Sequence, residues 1–147
     1  MTVEVSSRTY WIARLREAVR TGLAIDESVG VDEEGQDPAE DEDVLSAIPA
    51  EAIRHVLLTP GLRFDPQGLQ VQRTVITGTM NFDFATIPCR LYFDQCRLDK
   101  APSFEGATVE DLILSNVELP GLSVAAARVN GSLDMPGIRS TGALNAI

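Results

Sequence analysis

The side chains able to carry chemistry are few in this chain and widely separated. His55 is the single histidine among 147 residues. A structural or catalytic metal needs several converging His, Cys or carboxylate ligands, and His55 has no second histidine to share one with. A histidine-centred triad would need a nucleophile that only the tertiary fold could bring to it. Cys89 and Cys96 are too far apart for the CxxC spacing of a thiol redox pair. Cys96 falls in an apolar pattern described below and reads as a small core hydrophobe. Cys89 falls outside that pattern and is expected to be the more exposed of the two. No GxGxxG or GxxxxGK[ST] run offers a phosphate cradle for a nucleotide. The reading is therefore of no catalytic, cofactor-binding or metal-ligating residues.

Charge is distributed unevenly. The formal net charge is -10, from 12 basic and 22 acidic side chains. The run Asp26, Glu27, Asp32, Glu33, Glu34, Asp37, Glu40, Asp41, Glu42 and Asp43 contains no Lys or Arg and carries a deficit equal to that whole sum. Outside it the chain is nearly neutral. Direct nucleic-acid binding is not expected, because no basic patch is concentrated anywhere. Hydrophobic residues make up 44% and aromatic residues 5%, which predicts a globular domain with an aliphatic core. No apolar run reaches the ~18 residues of a membrane span. The N-terminus shows no signal-peptide pattern, and two cysteines make no disulfide framework, so a cytoplasmic location is expected.

Three zones position these groups. Spacing predicts a helix from Arg8 to Thr21, with Ser6 or Ser7 as N-cap and Gly22 as stop. Trp11, Ile12, Leu15, Val19 and Leu23 fall on one face. That face either packs on the domain or lies on an anionic membrane surface as a peripheral contact. Residues 26–43 hold the acidic run with Gly30, Gly35 and Pro38, and are expected to form a flexible loop. A second helix is expected with Pro49 in its first turn, Ala52, Ile53, Val56 and Leu57 as its apolar face and Thr59-Pro60-Gly61 as its end. These parts make up a helical N-terminal cap over residues 1–61.

From residue 62 to 147 the pattern changes. Apolar residues come in i, i+2 pairs, and the pairs recur every five or six residues: Leu69/Val71, Thr74/Ile76, Met80/Phe82, Ala85/Ile87, Leu91/Phe93 and onward to Leu133/Met135. An i, i+2 pair puts two side chains on one face of a short extended segment. A step of five matches neither a helix nor a long strand. It fits a chain that turns a corner after each short segment, so that four segments close a coil of about twenty residues. Residues one coil apart should stack. Leu91, Leu112 and Leu133 form one expected ladder, and Phe93, Leu114 and Met135 another. Cys96 is expected on Val117, Leu98 on Leu119, Phe104 on Val124, and Ala85, Ala107 and Ala127 in a small-residue ladder. Pro66, Pro88, Pro102, Pro120 and Pro136 exclude a long helix.

The i-2, i pairs at steps of five resemble pentapeptide-repeat proteins. The resemblance implies a mainly β fold, a right-handed quadrilateral β-helix of roughly four coils behind the N-terminal helical cap. The stretches Arg73–Met80, Cys96–Asp99, Leu119–Leu122 and Val129–Asp134 are similar to an actinobacterial group with a helical N-terminal segment and a degenerate solenoid, often labelled membrane-associated oxidoreductases. That label implies redox activity, for which the residues supply no motif. Some pentapeptide-repeat proteins mimic DNA and inhibit gyrase, a topoisomerase. Mimicry needs acids stacked down one side, whereas Asp94, Asp99, Glu105 and Glu110 follow consecutive inward residues and so circle one coil. The function expected is a non-catalytic scaffold or protein-interaction module with an unidentified protein partner. The solenoid is expected to be incomplete at Ile147, so that either the chain is part of a longer protein or a second copy covers the open coil in a homodimer.

Overall fold

The computed structural model describes residues 3–26, 47–140, 142 and 144–145. Its framework is four parallel sheets that the chain visits in a fixed rotation. The first sheet contains β1 (Ile25–Asp26), β3 (Leu69–Gln72), β6 (Leu91–Asp94), β9 (Leu112–Ser115) and β13 (Leu133–Asp134). The second contains β2 (Ala47–Pro49), β4 (Val75–Thr77), β7 (Arg97–Leu98), β10 (Glu118–Leu119) and β14 (Arg139–Ser140). The third pairs β11 (Leu122–Ser123) with β15 (Leu144–Asn145) and is extended by single bridges from Asn81 to Ser103 to Ser123. The fourth contains β5 (Thr86–Ile87), β8 (Thr108–Val109) and β12 (Arg128–Val129). This is a mainly β solenoid of about three turns, one fewer than the spacing suggests. Residues 141, 143, 146 and 147 of the last coil, Ile147 included, lie outside the described residues.

The ladders follow the expected register. Leu69 pairs with Leu91, Leu91 with Leu112 and Leu112 with Leu133. Phe93 sits opposite Leu114, and Ile87 opposite Val109 and then Val129. The inward members Leu69, Val71, Ile76, Phe82, Leu91, Phe93, Leu112 and Val117 are all at most 1% exposed. Phe82 and Phe104 stack with ring centroids 5.4 Å apart. Thr74 is the one buried polar side chain among the described residues, and its hydroxyl donates to the Gln72 carbonyl at 2.7 Å. That bond satisfies a group that would otherwise lose its hydration for nothing.

The corners have a shared backbone geometry. Arg73, Gln95 and Asn116 have φ of 51°, 56° and 54°, and Phe84 and Ala126 have φ of 59° and 58°. These are the only described non-glycine residues with positive φ, and they occupy equivalent places on successive coils. A left-handed residue reverses the chain sharply enough to start the next wall. In the second series Gly106 stands between Phe84 and Ala126. A Cβ on Gly106 would come within 2.6 Å of the Phe84 ring, so only glycine lets that ring lie flat on the coil beneath it.

Two helices close the N-terminal end. Helix α1 (Val3–Thr21) begins before the expected Arg8, so Ser6 and Ser7 lie inside it rather than capping it. It ends at Gly22, whose φ of 79° lets its N–H donate back to the Ala18 carbonyl at 2.8 Å. Trp11, Leu15 and Val19 are fully buried against the solenoid and α2. Leu23 departs from that face and is 70% exposed, because the chain has already left the helix at Gly22. Helix α2 (Ala50–Leu57) buries Ala52, Ile53, Val56 and Leu57 as expected. Pro49 lies one residue outside it, as the N-cap and the last residue of β2. Its ring fixes φ, and here its ψ of 129° keeps it extended.

The stretch expected to be one acidic loop begins differently. Asp26 belongs to β1, pairs with Gln72, and accepts a salt bridge from Arg73. The rest of that loop, residues 27–43, lies outside the described residues. No helix among the described residues is long and apolar enough to cross a membrane.

Candidate functional site

The residues singled out for chemistry are not brought together. His55 is exposed on α2, and its carbonyl accepts from the Thr59 hydroxyl at 2.6 Å at the helix end. Cys96 is 2% exposed in the inward ladder, with its Sγ 3.4 Å from the Val71 carbonyl. Cys89 is 4% exposed, marginally more than Cys96 as expected, yet buried all the same. It occupies the corner between β5 and β6, outside the regular pairs, yet its side chain turns into the interior. Burial pushes the Cys89 thiol up to about 12 and the Cys96 thiol up to about 11. Both thiols therefore stay protonated near neutrality, and a thiol is a far poorer nucleophile than a thiolate. Among the described residues no group of three His, Cys, Asp or Glu could hold a metal ion.

The acids expected to circle one coil do so. Asp94 stands opposite Gln72 on one side and Ser115 on the other, so no carboxylate stacks on it. Asp99 accepts from the Gly78 N–H at 2.8 Å, and Glu110 accepts from the Asn130 amide at 3.1 Å. These contacts tie coil to coil and use the carboxylates as staples.

A concavity lies elsewhere, along the outer face of the second sheet. It is an open groove of about 630 Å³ lined by Arg73, Thr74, Val75, Gln95, Arg97, Asn116, Glu118 and Arg139, with Cys96 at its floor. A neighbouring hollow of about 430 Å³ shares Arg97, Glu118 and Arg139. Strand register explains why these three meet: Arg97 pairs with Glu118 and Glu118 with Arg139, so they occupy one outward position on three successive rungs. Glu118 accepts from Arg97 Nε at 3.2 Å and from Arg139 Nη1 at 3.3 Å. The left-handed corner places Arg73, Gln95 and Asn116 along one side of the groove. Arg73 is tied to Asp26, whose side chain is only 15% exposed.

Sequence reasoning passed over this groove because it followed inward positions. The signal was present. Arg97, Glu118 and Arg139 recur at the coil length itself, 21 residues, so the ladder arithmetic applied to outward positions would have stacked them. The Asp26–Arg73 pair had no such signal, since β1 precedes the repeats. The arrangement offers guanidinium and amide donors to an anionic partner on an open face. It offers no enclosed space in which a reacting bond would be shielded from water. Comparison with protein-family models, with curated proteins and with solved structures finds no match for the chain.

Proposed function

We propose that the chain is a non-catalytic scaffold or protein-interaction module, built as a right-handed quadrilateral β-helix of the pentapeptide-repeat type. The observation that carries the functional reading is the second sheet's outer face, where Arg97, Glu118 and Arg139 repeat on consecutive rungs and line an open groove. A rigid coil stack holds such side chains in register, and an extended regular surface is what solenoids offer to protein partners. The four-sided form is supported by the rotation through four parallel sheets. The right hand is supported by the general preference of parallel crossovers for that hand.

The test is preparative and direct. The full chain is purified from its native host and examined for a bound chromophore and for copurifying protein. A stoichiometric protein partner with no redox-active chromophore is the expected result. A bound flavin or nicotinamide that turns over with an electron donor would overturn the reading in favour of an oxidoreductase. Light scattering at several concentrations tests the accompanying homodimer, and a constant monomer mass removes it.

A further inference from the structure

We propose that the arginine-lined groove of the second sheet receives an acidic peptide whose carboxylates recur at every third residue. The proposal rests on the interaction-module reading and names its partner class.

Charge comes first. Two guanidiniums share one carboxylate at Glu118, which leaves the trio one positive charge in excess. Each arginine carries five N–H donors, and Glu118 engages Nε of Arg97 and Nη1 of Arg139. The Arg97 and Arg139 side chains are 69% and 78% exposed, so their planar forks remain open to a carboxylate from outside. Gln95 and Asn116 line the same groove with amides, which can take the main chain of a bound peptide.

Spacing then selects the conformation. Arg97 and Arg139 lie two rungs apart. At about 4.8 Å per rung, their positions are about 9.6 Å apart along the stack. A polyproline II peptide presents the same face every third residue, at about 3 × 3.1 Å, or about 9.3 Å. A β-strand repeats its face at about 6.7 Å, which falls between rungs. Acidic segments repel themselves into extended forms, so they enter this conformation at little cost. The two positive forks thus match carboxylates at i and i+3. A sequence with that spacing exists in the chain itself: Glu34, Asp37, Glu40 and Asp43, with Pro38 among them. It supplies a defined probe.

The experiment is fluorescence anisotropy with a labelled decapeptide of the sequence of residues 34–43. The host is the full chain carrying E34Q, D37N, E40Q and D43N, so that its own run does not compete. A second decapeptide of equal composition, with the three-residue spacing scrambled, controls for bulk charge. The expected result is saturable binding that weakens with salt and is about tenfold weaker for the scrambled peptide, a difference of one charge-assisted contact. R97Q and R139Q should each weaken binding about tenfold, while R128Q on the fourth sheet should leave it unchanged. E118Q should tighten it, because both forks lose their internal competitor, and this variant gains rather than loses, so misfolding cannot imitate it. Equal binding of both peptides, or loss in R128Q equal to that in R97Q, overturns the proposal. Absence of binding overturns it too. That failure would leave the scaffold reading to its own test, which depends on a copurifying partner and a chromophore and not on this groove.

Discussion

The two ends of the solenoid apply one rule of construction with different results. Leu69, Leu91, Leu112 and Leu133 hold the same inward position on successive rungs of the first sheet. The first three are at most 1% exposed, and Leu133 is 39% exposed. Val129 is likewise only half-buried where its ladder partners Ile87 and Val109 are fully buried. At the other end α1 and α2 lie over the coils, and Trp11, Leu15, Val19, Ile53 and Leu57 seal the first rungs. An inward side chain is therefore not buried by its own coil. It is buried by the coils or helices above and below it, and pattern and burial separate wherever a neighbour ends. This is nearest-neighbour stability in a one-dimensional stack.

The largest effect should come from placing the same charge at both ends of that comparison. Leu114→Asp puts an unpaired carboxylate into a position 1% exposed. It should abolish the folded state, read as loss of the β signal in circular dichroism. Leu133→Asp should retain that signal, because its carboxylate can reach water. The comparison breaks if the two variants behave alike. The alanine pair gives the graded version in urea titrations: Leu112→Ala is expected to cost about 2–5 kcal/mol and Leu133→Ala less than about 1 kcal/mol.

The second prediction probes the helical seal. Trp11 is fully buried, yet its indole N–H has no hydrogen-bond partner among the described residues. Its ring meets Tyr10 edge-on with centroids 5.1 Å apart and carries the Arg14 guanidinium 5.1 Å from its centroid. The contribution should thus come from apolar area and ring contacts and not from the N–H. Trp11→Ala is expected to cost about 3–5 kcal/mol. Trp11→Phe should recover most of that, because it removes an unsatisfied donor along with some area. A phenylalanine variant as unstable as the alanine one would show that the indole N–H matters.

The smallest effect concerns the middle rungs. Cys89 and Cys96 titrate in the folded state above their ordinary value of 9.0, because burial disfavours the thiolate. Stability linked to these groups is whole below about pH 9 and falls as the pH rises toward 11 and then 12, since the unfolded chain ionises first. The unfolding midpoint should drop over that range, and C89A and C96A should flatten the drop. At pH 8 a thiol reagent should label the native chain only at the rate of its opening, and the urea-unfolded chain at once. Rapid labelling of native Cys89 would mean the middle of the stack is as open as its last coil.

Much of this fold was legible in advance because a solenoid writes its period into the chain. The pairs at i and i+2 gave the correct partners for Leu91, Leu112 and Leu133 without any structure, since a one-residue error would turn every side chain outward. What escaped was whatever lacked the period. β1 and β2 are two- and three-residue segments that form strands only because the edges of β3 and β4 accept them. No local propensity marks Ile25–Asp26 as a strand. The burial of Cys89 had no periodic signal, because corner residues break the alternation while still pointing inward. Leu23 was misplaced because helical spacing was carried one residue past the glycine that ends the helix. The groove lay in the outward residues of the same repeat, which no burial argument inspects.

The register of Arg97, Glu118 and Arg139 also constrains how such a chain can change length. Each coil is a unit whose side chains are addressed to the coils on either side. Inserting or deleting a whole coil of 21 residues, the spacing from Arg97 to Glu118, leaves every other ladder matched. Inserting one residue within a wall exchanges inside for outside over that wall. Growth in this architecture is therefore quantised. Duplication of one coil would lengthen the arginine-lined face by one further rung without redesigning anything beneath it, so reach along a partner can be altered in discrete steps while the core stays as it was.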